Sequence, residues 1–178
     1  MFALADVLTL TTRARVAFVV ACATRTVSAL ATMPEIQAYA QKVLQNCWQW
    51  QTDQSLTAHE LYPAVEQLFE FEYLLKEDEK KLSALFAVLT ALYYTTAQAY
   101  DAQYRISGTA NNPMLPEDMA EIGDDDVING AQYALKASDH PEDEVGWQQR
   151  TFQRFITDFK AKSADDLGEP VKFEYFRE

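Results

Sequence analysis

An all-α fold is what this sequence predicts, on three observations. Apolar residues return every three to four positions through most of its 178 residues. The first glycine is Gly108, so a long N-terminal stretch lacks the residue that tight turns and phosphate-cradling loops require. Between the apolar runs stand Thr-x-x-Glu signatures, the sequence mark of a capped helix start.

The elements run in order along the chain. Val16, Val20, Ala23, Val27 and Leu30 step by four, three, four and three, which places one core helix over about residues 11–31. Thr32-Met33-Pro34-Glu35 then supplies a restart, with Thr32 as cap, Pro34 in the first turn and Glu35 completing a capping box. Ile36, Ala40, Val43, Cys47 and Trp50 carry the same stepping through a second helix. Thr57-Ala58-His59-Glu60 opens a third, whose inner face holds Leu61, Val65, Leu68 and Leu75. Pro63 requires that this helix either begin near Tyr62 or kink in its first turns.

Glu77-Asp78-Glu79 puts negative charge where a helix macrodipole favours it, at the start of a fourth helix running to about Gln103. Leu82, Leu85, Leu89 and Leu92 line one stripe, with Phe86, Tyr93 and Tyr100 beside it. So wide a stripe predicts a central, heavily buried helix. Residues 105–116, with Ser107-Gly108 and Asn111-Asn112-Pro113, read as a loop. A short acidic helix near 116–122, a helix from Asp125 to Ala137 and a last one from Pro141 to Lys160 complete a bundle of about six. Val145, Phe152, Phe155, Ile156 and Phe159 form the inner face of the last. The tail, 163–178, alternates Val171, Phe173 and Tyr175 and is expected to lie extended against the bundle. Neither a repeat nor a low-complexity segment divides the chain, so residues 1–178 read as one all-helical domain.

Composition narrows the function. Ten Phe, nine Tyr and three Trp are ample for a core that buries roughly 70% of the unfolded chain's surface. Fifteen basic against 27 acidic residues leave a formal charge of −12. Such a surface repels nucleic acid and anionic membranes and draws in cationic proteins over a screening length of ~8–10 Å. Solubility alone is served by the same surface. Cys22 and Cys47 lie in helical patterns without CxxC spacing, which fits a reducing compartment, the cytoplasm. The apolar run Val16–Cys22 after Arg13 and Arg15 is short for a signal sequence, and Arg25 cuts off its extension. No stretch reaches the ~18 consecutive apolar residues of a membrane span.

Catalytic patterns are missing. His59 belongs to a capping box and His140 precedes Pro141 in a turn, so neither reads as a paired base or a zinc ligand. No HExxH, GxSxG, Walker or GxGxxG pattern occurs. Di-iron bundles need Glu-x-x-His pairs, and the chain has none. All-helical nucleotide pyrophosphohydrolases resemble the architecture and bind magnesium through ExxE and ExxD. Glu121-Ile122-Gly123-Asp124 supplies the second in letters, with a glycine that ends helices, and ExxE is absent. Asp124-Asp125-Asp126 lacks the register of a calcium loop. The expectation is a non-enzyme without metal or cofactor.

Acidic residues cluster at Glu66/Glu70, Glu77-Asp78-Glu79, Glu117-Asp118, Asp124-Asp125-Asp126 and Glu142-Asp143-Glu144. Each alone is more often a plain helix N-terminus. Trp48 and Trp50, two apart on a helix, point about 200° from each other, so one of them must leave the core. That one is either an interface anchor or is covered by the tail or another helix.

Leu44-Gln45-Asn46-Cys47-Trp48-Gln49-Trp50, followed by Leu61-Tyr62-Pro63-Ala64 and Trp147-Gln148-Gln149-Arg150, resembles a group of small all-helical bacterial proteins. That group includes predicted immunity proteins of polymorphic-toxin systems. The resemblance covers mainly residues 10–100 and 141–160, and 105–126 have no counterpart in it. It implies a protein that binds one secreted antibacterial toxin domain and neutralises it. The charged contacts then expected are Glu66, Glu70, Glu117, Asp118, Glu121, Asp124, Asp125 and Asp126, with Trp48 and Tyr104 as anchors and a cationic toxin as partner. The alternatives are a magnesium-dependent helical nucleotide hydrolase and a helical adaptor.

Overall fold

The computed structural model describes residues 2–107, 119, 121–164 and 166–176, without the side chains of 104–107 and 174. A single turn, α1 (Leu4–Val7), leads into α2 (Thr12–Thr26), which a 3₁₀ turn at Val27–Leu30 extends. Then come α3 (Pro34–Asp53), the one-turn α4 (Ala58–Leu61), α5 (Pro63–Leu75), α6 (Glu79–Ser107), α7 (Asp126–Ala137) and α8 (Pro141–Asp158). Six helices of at least 12 residues thus carry the fold among the described residues, the all-α bundle that the periodicity predicts.

Helix α6 is the axis. It packs on α2, α3, α5 and α7, and Ala84, Leu85, Ala87, Val88, Ala91, Leu92 and Tyr94 are closed off from solvent. Its Glu79–Gln103 stretch is long and apolar enough to cross a membrane, although the chain lacks an unbroken apolar run of that length. Here 72% of the apolar window is buried inside the bundle, the situation of a core helix. Helix α2 lies equally deep, with every residue from Ala14 to Ala23 buried. The core is one contiguous cluster, and both cysteines are free thiols within it.

Where structure and sequence reading part, local chemistry explains why. Thr32 caps nothing: Pro34 takes the first helical position of α3, which moves the cap to Met33, whose side chain makes no capping hydrogen bond. At Thr57 the capping box does form, since Thr57 Oγ1 accepts from Glu60 N and Glu60 Oε2 from Thr57 N. Pro63 ends α4 and opens α5, while Tyr62 keeps helical angles (φ −56°, ψ −41°) between them. Helix α6 runs past the expected end at Gln103 to Ser107. The expected acidic helix near 116–122 lies mostly outside the described residues.

Helix α8 stops at Asp158 rather than Lys160, because residues 9–11 take over the backbone bonding. Thr11 N donates to Phe159 O at 3.0 Å and Ala161 N to Thr9 O at 2.8 Å. On its inner face Phe152 and Phe155 are buried as expected, while Val145, Ile156 and Phe159 are half-buried and Trp147, Gln148 and Thr151 are buried with them. The tail is extended only in part. Residues Phe173–Phe176 close a 3₁₀ turn, which lets neighbouring Tyr175 and Phe176 both reach Phe155, at 5.2 and 5.4 Å between ring centroids. Strict alternation would have sent one of the two to solvent.

Candidate partner-binding surface

The acidic segment before α7 is tied inward. Asp124 accepts from Arg15 of α2 at 2.6 Å and from the Tyr94 hydroxyl of α6 at 2.5 Å, one on each carboxylate oxygen. Arg15 is almost fully buried and also donates to Thr12 Oγ1 at 3.1 Å. Burial pushes the Tyr94 phenol well above its usual value, so it remains a donor to Asp124. Asp126 accepts from Gly123 N at 3.0 Å and from Asn129 Nδ2 at 3.1 Å, which secures the start of α7. Of the three aspartates, Asp125 is the exposed one, and Glu121 is exposed beside it. The carboxylate of the Glu121–Asp124 half-motif is therefore held by an internal cation.

A similar inward use claims Glu144. It is 3% exposed, pairs with Arg25 Nε at 2.7 Å and accepts from Gln148 Nε2 at 3.0 Å. The Arg25 guanidinium lies over the Trp147 ring, 4.2 Å from its centroid. Asp78 pairs with Lys81 at 2.5 Å, and Lys80 with Asp139. Among the described residues no group of three or more His, Cys, Asp or Glu side chains is placed to hold a metal ion.

The tryptophan pair separates as the 200° argument requires. Trp50 is 2% exposed in the core. Trp48 is half-buried, and the tail's Phe173 and Phe176 meet its ring edge-on at 5.3 and 5.5 Å. Beside it a cleft of about 460 Å³ opens between Val27, Gln41, Leu44, Trp48 and Phe173. Its walls are mixed, with Thr24, Gln41 and Gln45 among the apolar side chains.

Glu66 and Glu70 face outward on α5. Between and beside them stand Phe69, Tyr73 and Leu74, which are 41%, 80% and 65% exposed. At about 100° per residue these five positions occupy one side of the helix, opposite Leu68 and Leu75, with Val65 next to Phe69 at its edge. The inner-face pattern alone passes over the three apolar residues. Their signal is nonetheless in the sequence, since they fall on the same turns as the glutamates. Single exposed apolar side chains are ordinary, whereas three within six residues form a patch. The expected contacts Glu117 and Asp118 lie outside the described residues, as does the side chain of Tyr104.

A protein-family model described as Immunity protein Imm6 matches residues 14–134, about two thirds of the chain. The match runs from α2 into α7 and spans 105–126, which the sequence resemblance leaves without a counterpart, while 141–160 lie beyond it. Neither a curated protein nor a solved structure matches the chain.

Proposed function

The chain belongs to the Imm6 immunity protein family, and from that premise we propose that it binds one antibacterial toxin domain in the cytoplasm and neutralises it by covering its working surface. The family match carries the reading, because it spans most of the helical framework. Two features of the surface support it. The carboxylates of Glu66, Glu70, Glu121 and Asp125 remain exposed to a cationic partner, Glu70 accepting from Gln67 Nε2 at 2.8 Å on its own helix, while Asp124 and Asp126 hold the fold together. Beside Glu66 and Glu70 lies the exposed apolar patch, and desolvated aromatic anchors flanked by charge are what tight interfaces use.

In this reading the excess of negative charge steers encounter with a basic toxin, and the apolar contacts hold the complex once it forms. Co-expression tests it. The gene should lie beside one for a toxin domain that arrests growth when produced alone, and growth should return when this chain is produced with it. An active neighbouring toxin that this chain fails to counter would refute the reading.

A further inference from the structure

We infer that the outer stripe of α5, with Tyr73 at its centre and Glu66 and Glu70 flanking it, is the docking surface for an arginine-bearing basic face of the toxin. This rests on the proposed toxin binding and assigns a surface to it. Taking Glu66 as the origin and about 100° per residue, Tyr73 lies ~20° to one side and Glu70 ~40° to the other, with Phe69 and Leu74 at the margins. The acids and the ring thus form one strip of the helix surface. Between Glu66 and Glu79 the acids are Glu66, Glu70, Glu72, Glu77, Asp78 and Glu79, against Lys76 alone.

The chemistry selects the occupant. Elsewhere the chain seats an arginine between an acid and an aromatic ring: Arg25 pairs with Glu144 while lying over Trp147. A second arginine, Arg154, lies 4.3 Å over the Tyr175 ring. On α5 the acid and the ring face outward at neighbouring positions, and the helix carries no arginine of its own. A planar guanidinium from another protein can stack on Tyr73 and pair with Glu66 or Glu70 together, which a lysine ammonium does less well. A second copy of this chain is a poor occupant. Two-fold pairing would bring the glutamates of both copies together on a molecule already at −12.

Calorimetric titration of the purified toxin domain encoded beside the gene tests the assignment. Tyr73→Ser weakens binding by about 30-fold or more, as loss of an interface anchor does. Glu66→Gln with Glu70→Gln weakens it and flattens its dependence on salt. Glu142→Gln, an exposed acid on α8, leaves it within about two-fold. All these positions are exposed, so the variants keep the wild-type denaturation midpoint, and loss of binding is not loss of fold. Wild-type affinity in both α5 variants overturns the assignment while leaving toxin neutralisation standing. A wild-type chain that neither binds nor rescues removes both. A dimer in sedimentation that Tyr73→Ser dissolves, with toxin affinity unchanged, also overturns it in favour of self-association.

Discussion

Arg15 of α2 and Asp124, two residues ahead of α7, close a 2.6 Å ion pair that ties the segment entering α7 to the core. Tyr94 donates to the other oxygen of the same carboxylate, so helices α2 and α6 both hold this one side chain. Asp124 thus positions α7 from within, although its sequence context, three consecutive aspartates, reads as a helix N-terminus or a charged contact.

Removing that carboxylate leaves a buried guanidinium without its counter-charge. Asp124→Ala is expected to lower the unfolding free energy by about 2–4 kcal/mol, toward the lower end because Asp124 keeps a quarter of its side chain exposed. Asp125→Ala, at the exposed neighbour, stays within about 0.5 kcal/mol. Urea denaturation of the two variants side by side is the check.

Alkaline pH acts on the same core. Burial pushes the Cys47 thiol up to about 12 and raises Cys22 and Tyr94 well above their ordinary values. In the unfolded chain the thiols lose their protons near 9 and the phenol near 10, while the folded protein keeps them. The folded state therefore binds more protons there, and stability must fall as pH rises. The contribution is complete below pH 9 and is lost from about pH 9 upward toward the folded values. Urea midpoints at pH 8, 9.5 and 10.5 should decline in that order, and less steeply in Cys47→Ala.

The same burial makes both thiols inert. A thiol-specific reagent at pH 8 should label neither Cys22 nor Cys47 in the folded protein and both in urea, at the rate of unfolding. Prompt labelling without denaturant would contradict their placement.

Gly130 sets the distance between helices. A Cβ added there would lie 2.4 Å from Val19 Cγ2 of α2 and 3.4 Å from Thr90 Cγ2 of α6. Gly130→Ala gains helix propensity, about 1 kcal/mol, but forces α7 away from both neighbours. Overpacking of about 1–3 kcal/mol less that gain leaves a net destabilisation of up to about 2 kcal/mol, read by thermal or urea unfolding.

The tail is fastened at Gln51, which is fully buried. It donates to Val171 O at 2.5 Å and accepts from Val171 N at 3.1 Å. Further along, Gly168 sits at φ +75° against Thr11, where a Cβ would come within 2.4 Å. Gln51→Ala strands both backbone groups of Val171, at about 1–3 kcal/mol, and Gly168→Ala displaces the tail segment from Thr11. Either should make residues 166–176 cleavable by a protease at concentrations that leave the wild type intact.

Much of this architecture is legible in the sequence, and the reasons are local. The Thr57–Glu60 box, the Asp125–Ala137 helix and the central position of α6 arise from periodicity and capping, which are written in neighbouring residues. What stays hidden joins residues far apart. Arg25 finds Glu144 across 119 positions, and Gln51 finds Val171 across 120, and no spacing rule forecasts either. The site divides in the same way. Glu66 and Glu70 are legible as outward acids, whereas Asp124 is drawn inward by Arg15 and Tyr94, which only folding brings near; Asp126 is held locally, by Gly123 and Asn129 three residues to either side. Phe69, Tyr73 and Leu74 are visible as letters, but their exposure depends on which face of α5 the rest of the bundle covers.

Neutralisation by docking makes a stoichiometric demand. Titrating a fixed amount of the neighbouring toxin domain with this chain, and reading residual toxin activity, should give a linear fall that ends at an equimolar ratio and does not change with longer incubation. Toxin activity that keeps falling with time at a small fraction of an equivalent, with the toxin left chemically altered, would contradict the account.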